Sequence, residues 1–190
     1  MAHHKHEPGT PMPYTHAVHL LNPLRALALS PRALVRRLEL NPDFTVLELG
    51  PGPGYFSPAV ARAVPDGKLV LVDVQQEMLD MAKQRLDQKG VTNVEYRCGD
   101  ALSLPAEDNS FDVAFLVSVL GEVPDRAKSL RELHRVLRPE GLLSITEMQL
   151  FDPDSIPLDK LRLSAESAGF RQYSRAGRIT HFTLGFRKSP

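Results

Sequence analysis

The sequence predicts an α/β fold in which a seven-stranded, mostly parallel sheet carries helices on both faces and closes with an antiparallel last strand. Three observations predict it. The apolar run Val46-Leu47-Glu48-Leu49 breaks off in Gly50-Pro51-Gly52-Pro53-Gly54 and is followed by a helix start, the strand, turn and helix order of a parallel unit. Further apolar runs, several ending at a glycine or an acid, alternate with segments whose apolar residues recur at helical spacing. At the end of the chain, residues 170–175 and 179–187 alternate around Ala176-Gly177-Arg178, which predicts a hairpin.

Residues 1–13 hold His3, His4, His6 and several prolines, the composition of a loose arm, and nothing downstream completes a metal-ligand set with these histidines. From Tyr14 to Leu40 the apolar spacing is helical but broken, with Ser30-Pro31 marking one helix start. This stretch reads as a short helical cap over the ligand end of the sheet. The expected organisation is therefore an arm and cap over 1–42 and a main domain over 43–190. His16 and His19 stand three apart and share a helix face, either as contacts to a substrate or as surface residues of the cap.

The first strand is expected over 45–49. Ser57 and Pro58 follow as N-cap and first-turn proline of a helix that runs to about Val64. Lys68 to Asp73 is the second strand. Its terminal acid falls about 20 residues after the glycines, the interval at which a strand-end carboxylate meets ribose hydroxyls in related sheets. Met78, Leu79, Ala82 and Leu86 then mark a helix stopped by Gly90. Val94 to Cys98 is the third strand, and Gly99-Asp100 beyond it suits an Asx-turn. Phe111 to Ser118, nearly all apolar, is a central strand. Asp125 caps a helix with the stripe Leu130, Leu133 and Leu137, ended by Arg138-Pro139-Glu140-Gly141. Leu142 to Glu147 is the fifth strand, and Leu158, Leu161, Ala165 and Ala168 mark a last helix closed by Gly169.

Composition excludes several classes. With 190 residues and 42% hydrophobic content, one folded domain with a substantial core is expected. Lys plus Arg and Asp plus Glu are 23 each, a balance that argues against a nucleic-acid partner. Cys98 is the single cysteine, so neither an internal disulfide nor a multi-cysteine zinc site can form, and no metal is expected. No apolar run approaches the roughly 20 residues of a membrane span, and the N-terminus lacks signal character, so a cytoplasmic location is expected. No Lys-Ser or Lys-Thr follows the glycines, which excludes a P-loop, and Tyr55 occupies the place where the dinucleotide fingerprint needs a small residue.

The segments E-L-G-P-G-P-G at Glu48–Gly54, G-D-A-L-S-L-P from Gly99, and D-N-S-F-D-V-A from Asp108 together resemble the class I S-adenosylmethionine-dependent methyltransferases, especially the ubiquinone and menaquinone biosynthesis branch. The likeness covers residues 43 to 188 and implies a Rossmann-like fold with S-adenosylmethionine as cofactor and S-adenosylhomocysteine as product. It implies that Glu48, Gly50, Pro51, Gly52 and Gly54 lie beneath the amino acid part of the cofactor. Asp73 would hold the ribose, Val74 would pack near the adenine, and Asp100 and the Ala101 amide would meet the adenine edge, with Val117 completing the set. Relatives often carry a histidine just before Val-Pro-Asp; this chain has Glu122.

Methyl transfer from a sulfonium is an in-line displacement whose leaving group needs no proton, so alignment and exclusion of water are the main demands. A base is needed only for some acceptors. Glu122, His16 and His19 are the catalytic candidates, with Glu147 and Tyr14 as further groups near the same rim. A small-molecule acceptor is the expected partner, and a homodimer is left open. The alternatives are an RNA or protein methyltransferase, which would present a cationic rim, and a non-catalytic cofactor-binding domain or nicotinamide oxidoreductase, which Tyr55 opposes.

Overall fold

A computed structural model describes residues 11–16, 30–148, 154–178 and 181–189. Seven strands, β1 (Thr45–Leu49), β2 (Lys68–Asp73), β3 (Val94–Cys98), β4 (Phe111–Val117), β5 (Leu137–Glu147), β6 (Phe170–Arg178) and β7 (His181–Lys188), form one sheet in the order β3-β2-β1-β4-β5-β7-β6. β7 runs antiparallel to both of its neighbours, and the pairs among β1 to β5 are parallel. The chain leaves β1 for β2 on one side and returns to β4 on the other. That reversal opens a crevice at the carboxyl ends of β1 and β4, the usual ligand position in such sheets.

The apolar faces of the strands are covered from both sides, which is why β1, β2 and β4 read as continuous hydrophobic runs. Helices α1 (Pro31–Leu38), α2 (Ser57–Ala63) and α3 (Gln76–Asp87) cover one face, placing Leu34, Leu38, Val60, Leu79, Ala82 and Leu86 against Val46, Leu69, Leu71 and Phe115. Helices α4 (Arg126–Val136) and α5 (Leu158–Ser167) cover the other with Leu130, Leu133, Leu161 and Ala165. Truncating one of these buried leucines to alanine would cost about 2–5 kcal/mol of stability. Among the described residues no helix is long and apolar enough to cross a membrane.

Several local expectations are revised. Ser57 is not the N-cap of α2: Phe56 holds that position with helical backbone angles, and Ser57 is the first helical residue, with its side chain buried. The glycine turn delivers the chain already coiled, so the hydroxyl is directed inward instead of capping the helix. α4 stops at Val136 and β5 begins at Leu137, so Arg138-Pro139-Glu140-Gly141 belongs to the strand. There Leu137 pairs with Phe111 and Leu142 with Val113, an irregularity that Glu140 accommodates with φ +60°. The last hairpin turns beyond Ala176-Gly177-Arg178, because β6 continues through Arg178, which pairs with His181. Ser30 does cap α1, accepting the Ala33 amide at 3.2 Å, and Asp125 caps α4 through the Lys128 amide at 2.9 Å. α1 lies within the layer that covers the sheet, and most of the remaining stretch expected to cap the site is outside the described residues.

Candidate functional site

The site is built on the carboxyl ends of β1, β2, β3 and β4. Gly50, Gly52 and Gly54 all have positive φ (+64°, +52° and +75°), a backbone that other residues adopt only with strain. A Cβ on Gly50 would stand 2.5 Å from Val119 Cγ2, and one on Gly54 would stand 3.2 Å from the backbone of Ala82 in α3. The first glycine admits the loop after β4 and the third admits α3. Ser118, itself left-handed at φ +53°, turns Val119 onto Gly50.

Two carboxylates stand beside this turn. Glu48 is 3% exposed, and its Oε2 is buried without a hydrogen-bond partner. Burial pushes its pKa up to about 8; nearby Ser57 moderates the shift, although its hydroxyl completes no hydrogen bond, and the charge of Asp73 adds to it. Asp73, 7% exposed, accepts the Gln75 amide at 3.0 Å through Oδ1. Burial raises its pKa, and the amides of Gln75, Gly52 and Val74 oppose the rise. The Gly50 amide, donating to the Val72 carbonyl at 2.8 Å, ties the end of β2 to the glycine turn. A pair of buried acids, one with an unsatisfied oxygen, suits a ligand that brings a cationic group and hydroxyl donors.

The other expected residues flank this centre. Val74 is 51% exposed at the rim, a large apolar side chain free to meet a flat ring. Asp100 forms the Asx-turn read from the sequence, accepting the Leu102 amide at 2.9 Å, and Ala101 follows it at the end of β3. Val117 ends β4 on the face carrying Glu48 and Asp73. Pro51 and the residues through Gly54 are buried.

A strap not foreseen in the sequence crosses this rim. The Met12 amide donates to Glu122 Oε2 at 3.0 Å. Gln75 Nε2 donates to the Met12 carbonyl at 2.9 Å, and Gln75 Oε1 accepts the Tyr14 amide at 3.1 Å. Gln75 follows β2 and Glu122 follows β4, so residues 12–14 pass over the end of β1, which lies between them in the sheet. The one available signal was a glutamine two places after the strand-end acid. Of the other rim candidates, Tyr14 and His16 form a short 3-10 turn, the His16 side chain and all of His19 are outside the described residues, and Glu147 is buried, accepting the Ile156 amide.

Sheet order, switch point, glycine turn and strand-end acid define a Rossmann-like domain, the architecture that places ligands at the carboxyl ends of its strands. The particular family follows from comparison. The model of the Methyltransferase domain family matches residues 47–145, just over half of the chain, and the chain belongs to that family. It is 40% identical over 118 residues to the ubiquinone/menaquinone biosynthesis C-methyltransferase UbiE of Enterobacter sp. (strain 638), a match covering 61% of this chain and 46% of that one. It is also 40% identical over 123 residues to an uncharacterized 37.1 kDa protein in transposon TN4556 of Streptomyces fradiae, covering 64% of this chain and 34% of that one. The chain thus spans less than half the length of these curated relatives. A crystal structure of a SAM dependent methyltransferase from Aquifex aeolicus superimposes with a TM-score of 0.85 at 26% identity, covering 94% of this chain and 100% of the other. The chain thus carries a methyltransferase domain in the fold of a SAM dependent methyltransferase.

Proposed function

We propose that this methyltransferase acts on a small-molecule acceptor. The observation that carries the proposal is the enclosure of the rim: the glycine turn is buried, and residues 12–14 bridge Gln75 and Glu122 above it. A macromolecular acceptor needs an open approach to the same edge. The UbiE resemblance, to a protein whose name describes C-methylation in quinone biosynthesis, supports the same reading.

The residues present fit the cofactor. Glu48 offers its unpaired oxygen to the α-ammonium group, and the bare main chain of Gly50, Pro51, Gly52 and Gly54 gives the methionine tail a close bed. Asp73 has lone pairs left for the ribose hydroxyls after the backbone amides are counted. Val74 would pack against the adenine, Asp100 and the Ala101 amide would read its edge, and Val117 borders the crevice between β1 and β4. When bound, the cofactor supplies an electrophilic methyl group with a neutral thioether as leaving group.

The protein's own contribution is alignment and dryness. Glycine turn, Asp73 and strap fix the two reactants and keep water from the edge, which is where most of the acceleration of an in-line transfer arises. Where the acceptor must lose a proton, Glu122 is the group we assign as base, because it stands at the β4 rim directly beneath the strap. The test uses S-adenosylmethionine carrying a radiolabelled methyl group in cell extract. Label is expected in the small-molecule filtrate. Label confined to RNA or protein would overturn the reading.

A further inference from the structure

The face of the sheet under α1, α2 and α3 carries a polar row one pleat beyond Glu48. Glu48 is level with Phe115 of β4; two residues further on, Val117 pairs with Thr146 of β5, and Thr146 with Thr183 of β7. Thr146 and Thr183 are 0% and 3% exposed, and their hydroxyls share a hydrogen bond of 2.8 Å. Arg37, in the last turn of α1, reaches this pair, donating from Nη1 to Thr183 Oγ1 at 2.6 Å.

That neutral hydroxyl is the guanidinium's one hydrogen-bond partner among the described residues, and no carboxylate among them lies within ion-pair distance. Arg135, Arg138, Arg162 and Arg187 each hold an acid. A guanidinium has five donors in a plane, so most of the Arg37 fork is unspent. Burial, with Arg36 beside it, holds its pKa below the ordinary guanidinium value, as expected where the surroundings do not compensate the charge.

We propose that Arg37 binds a carboxylate of the methyl acceptor and so aims its reactive atom toward the crevice between β1 and β4. The inference rests on the small-molecule reading above and adds the acceptor's charge. Arg37 suits the task because its fork matches a carboxylate through two parallel hydrogen bonds, which a neutral acceptor cannot return. The span also fits. From the crevice between β1 and β4 to the Thr183 strand is about two and a half strand spacings, ~12 Å, so an acceptor with a ring and a short chain between carboxylate and reactive atom bridges it.

The experiment titrates the Arg37 Nε–H NMR signal, assigned by its loss in Arg37→Gln, with benzoate, cinnamate and octanoate and with the corresponding amides. Each titration is run with and without S-adenosylhomocysteine. Expected is a saturable shift with at least one carboxylate, none with its amide, and affinity at least tenfold weaker in Arg37→Gln by calorimetry. Arg37→Lys, which keeps the charge and loses the fork, should fall between the two and guards against a folding defect in the glutamine variant. If no carboxylate moves the signal, or if the variants bind as well as the wild type, the proposal fails. Uptake of S-adenosylhomocysteine reports separately on the methyltransferase reading, and labelling of RNA or protein on the acceptor class, so each failure is distinguishable.

Discussion

Replacing Glu48 with glutamine tests the electrostatics of the site. The Glu48 carboxyl has its pKa pushed up from 4.5 to about 8. At about 1.4 kcal/mol per pKa unit, that shift corresponds to a ceiling of ~5 kcal/mol between the two protonation states. Over this interval the native state binds a proton that the unfolded chain has released. Wild-type stability therefore falls as pH rises from about 4.5 to 8, by up to ~1.4 kcal/mol per unit, and the contribution levels off above. Glu48→Gln lacks this slope. Urea unfolding of both proteins from pH 5 to 9 should show the variant gaining on the wild type as pH rises. The ligand reverses the balance, because an ammonium group favours the ionised acid. Wild-type affinity for S-adenosylhomocysteine should thus rise by up to tenfold per unit until about pH 8, where the free Glu48 carboxyl itself ionises. Calorimetry in buffers of different ionisation enthalpy should record proton release, absent in Glu48→Gln. Parallel unfolding curves and pH-independent binding would refute the reasoning.

Other consequences are more local. Gly54→Ala puts a Cβ 3.2 Å from the Ala82 backbone at φ +75°, and should lower stability by about 1–3 kcal/mol in chemical unfolding and weaken cofactor binding. Gln75→Ala removes both hydrogen bonds that one side chain gives the strap, and should speed release of S-adenosylhomocysteine in stopped-flow measurements by about tenfold, at roughly 1 kcal/mol per bond with partial compensation by water. Glu122→Gln keeps an oxygen for the Met12 amide but cannot take a proton, so kcat should fall by about 10²-fold or more with cofactor affinity unchanged. Unchanged kcat would remove Glu122 as the base.

Much of this architecture was readable because local and global preferences agree. Buried parallel strands must be apolar on both faces, so β1, β2 and β4 announced themselves, and the glycines at alternate positions marked the turn where backbone must come close. Asp73 was placed beside that turn by its interval from the glycines, and the carbonyl of Val72 just before it does accept the Gly50 amide at 2.8 Å. What escaped depends on contacts between distant residues. Nothing in residues 138–141 distinguishes a helix-ending turn from an irregular strand start; pairing of Leu137 with Phe111 decides it. Ser57 looked like a cap because serine before proline usually is one, yet the glycine turn had already supplied helical geometry. The strap and the Arg37–Thr183 contact join residues 63 and 146 places apart, and no periodicity records such pairings.

The central claim, that the acids and glycines at the ends of β1 and β2 hold the cofactor's methionine and ribose, is tested most directly by titrating S-adenosylhomocysteine into wild type and Asp73→Ala. A single saturable site is predicted, at least tenfold weaker in the variant and unresponsive to NAD. Absence of binding heat in folded wild type, or equal affinity in the two proteins, would contradict it.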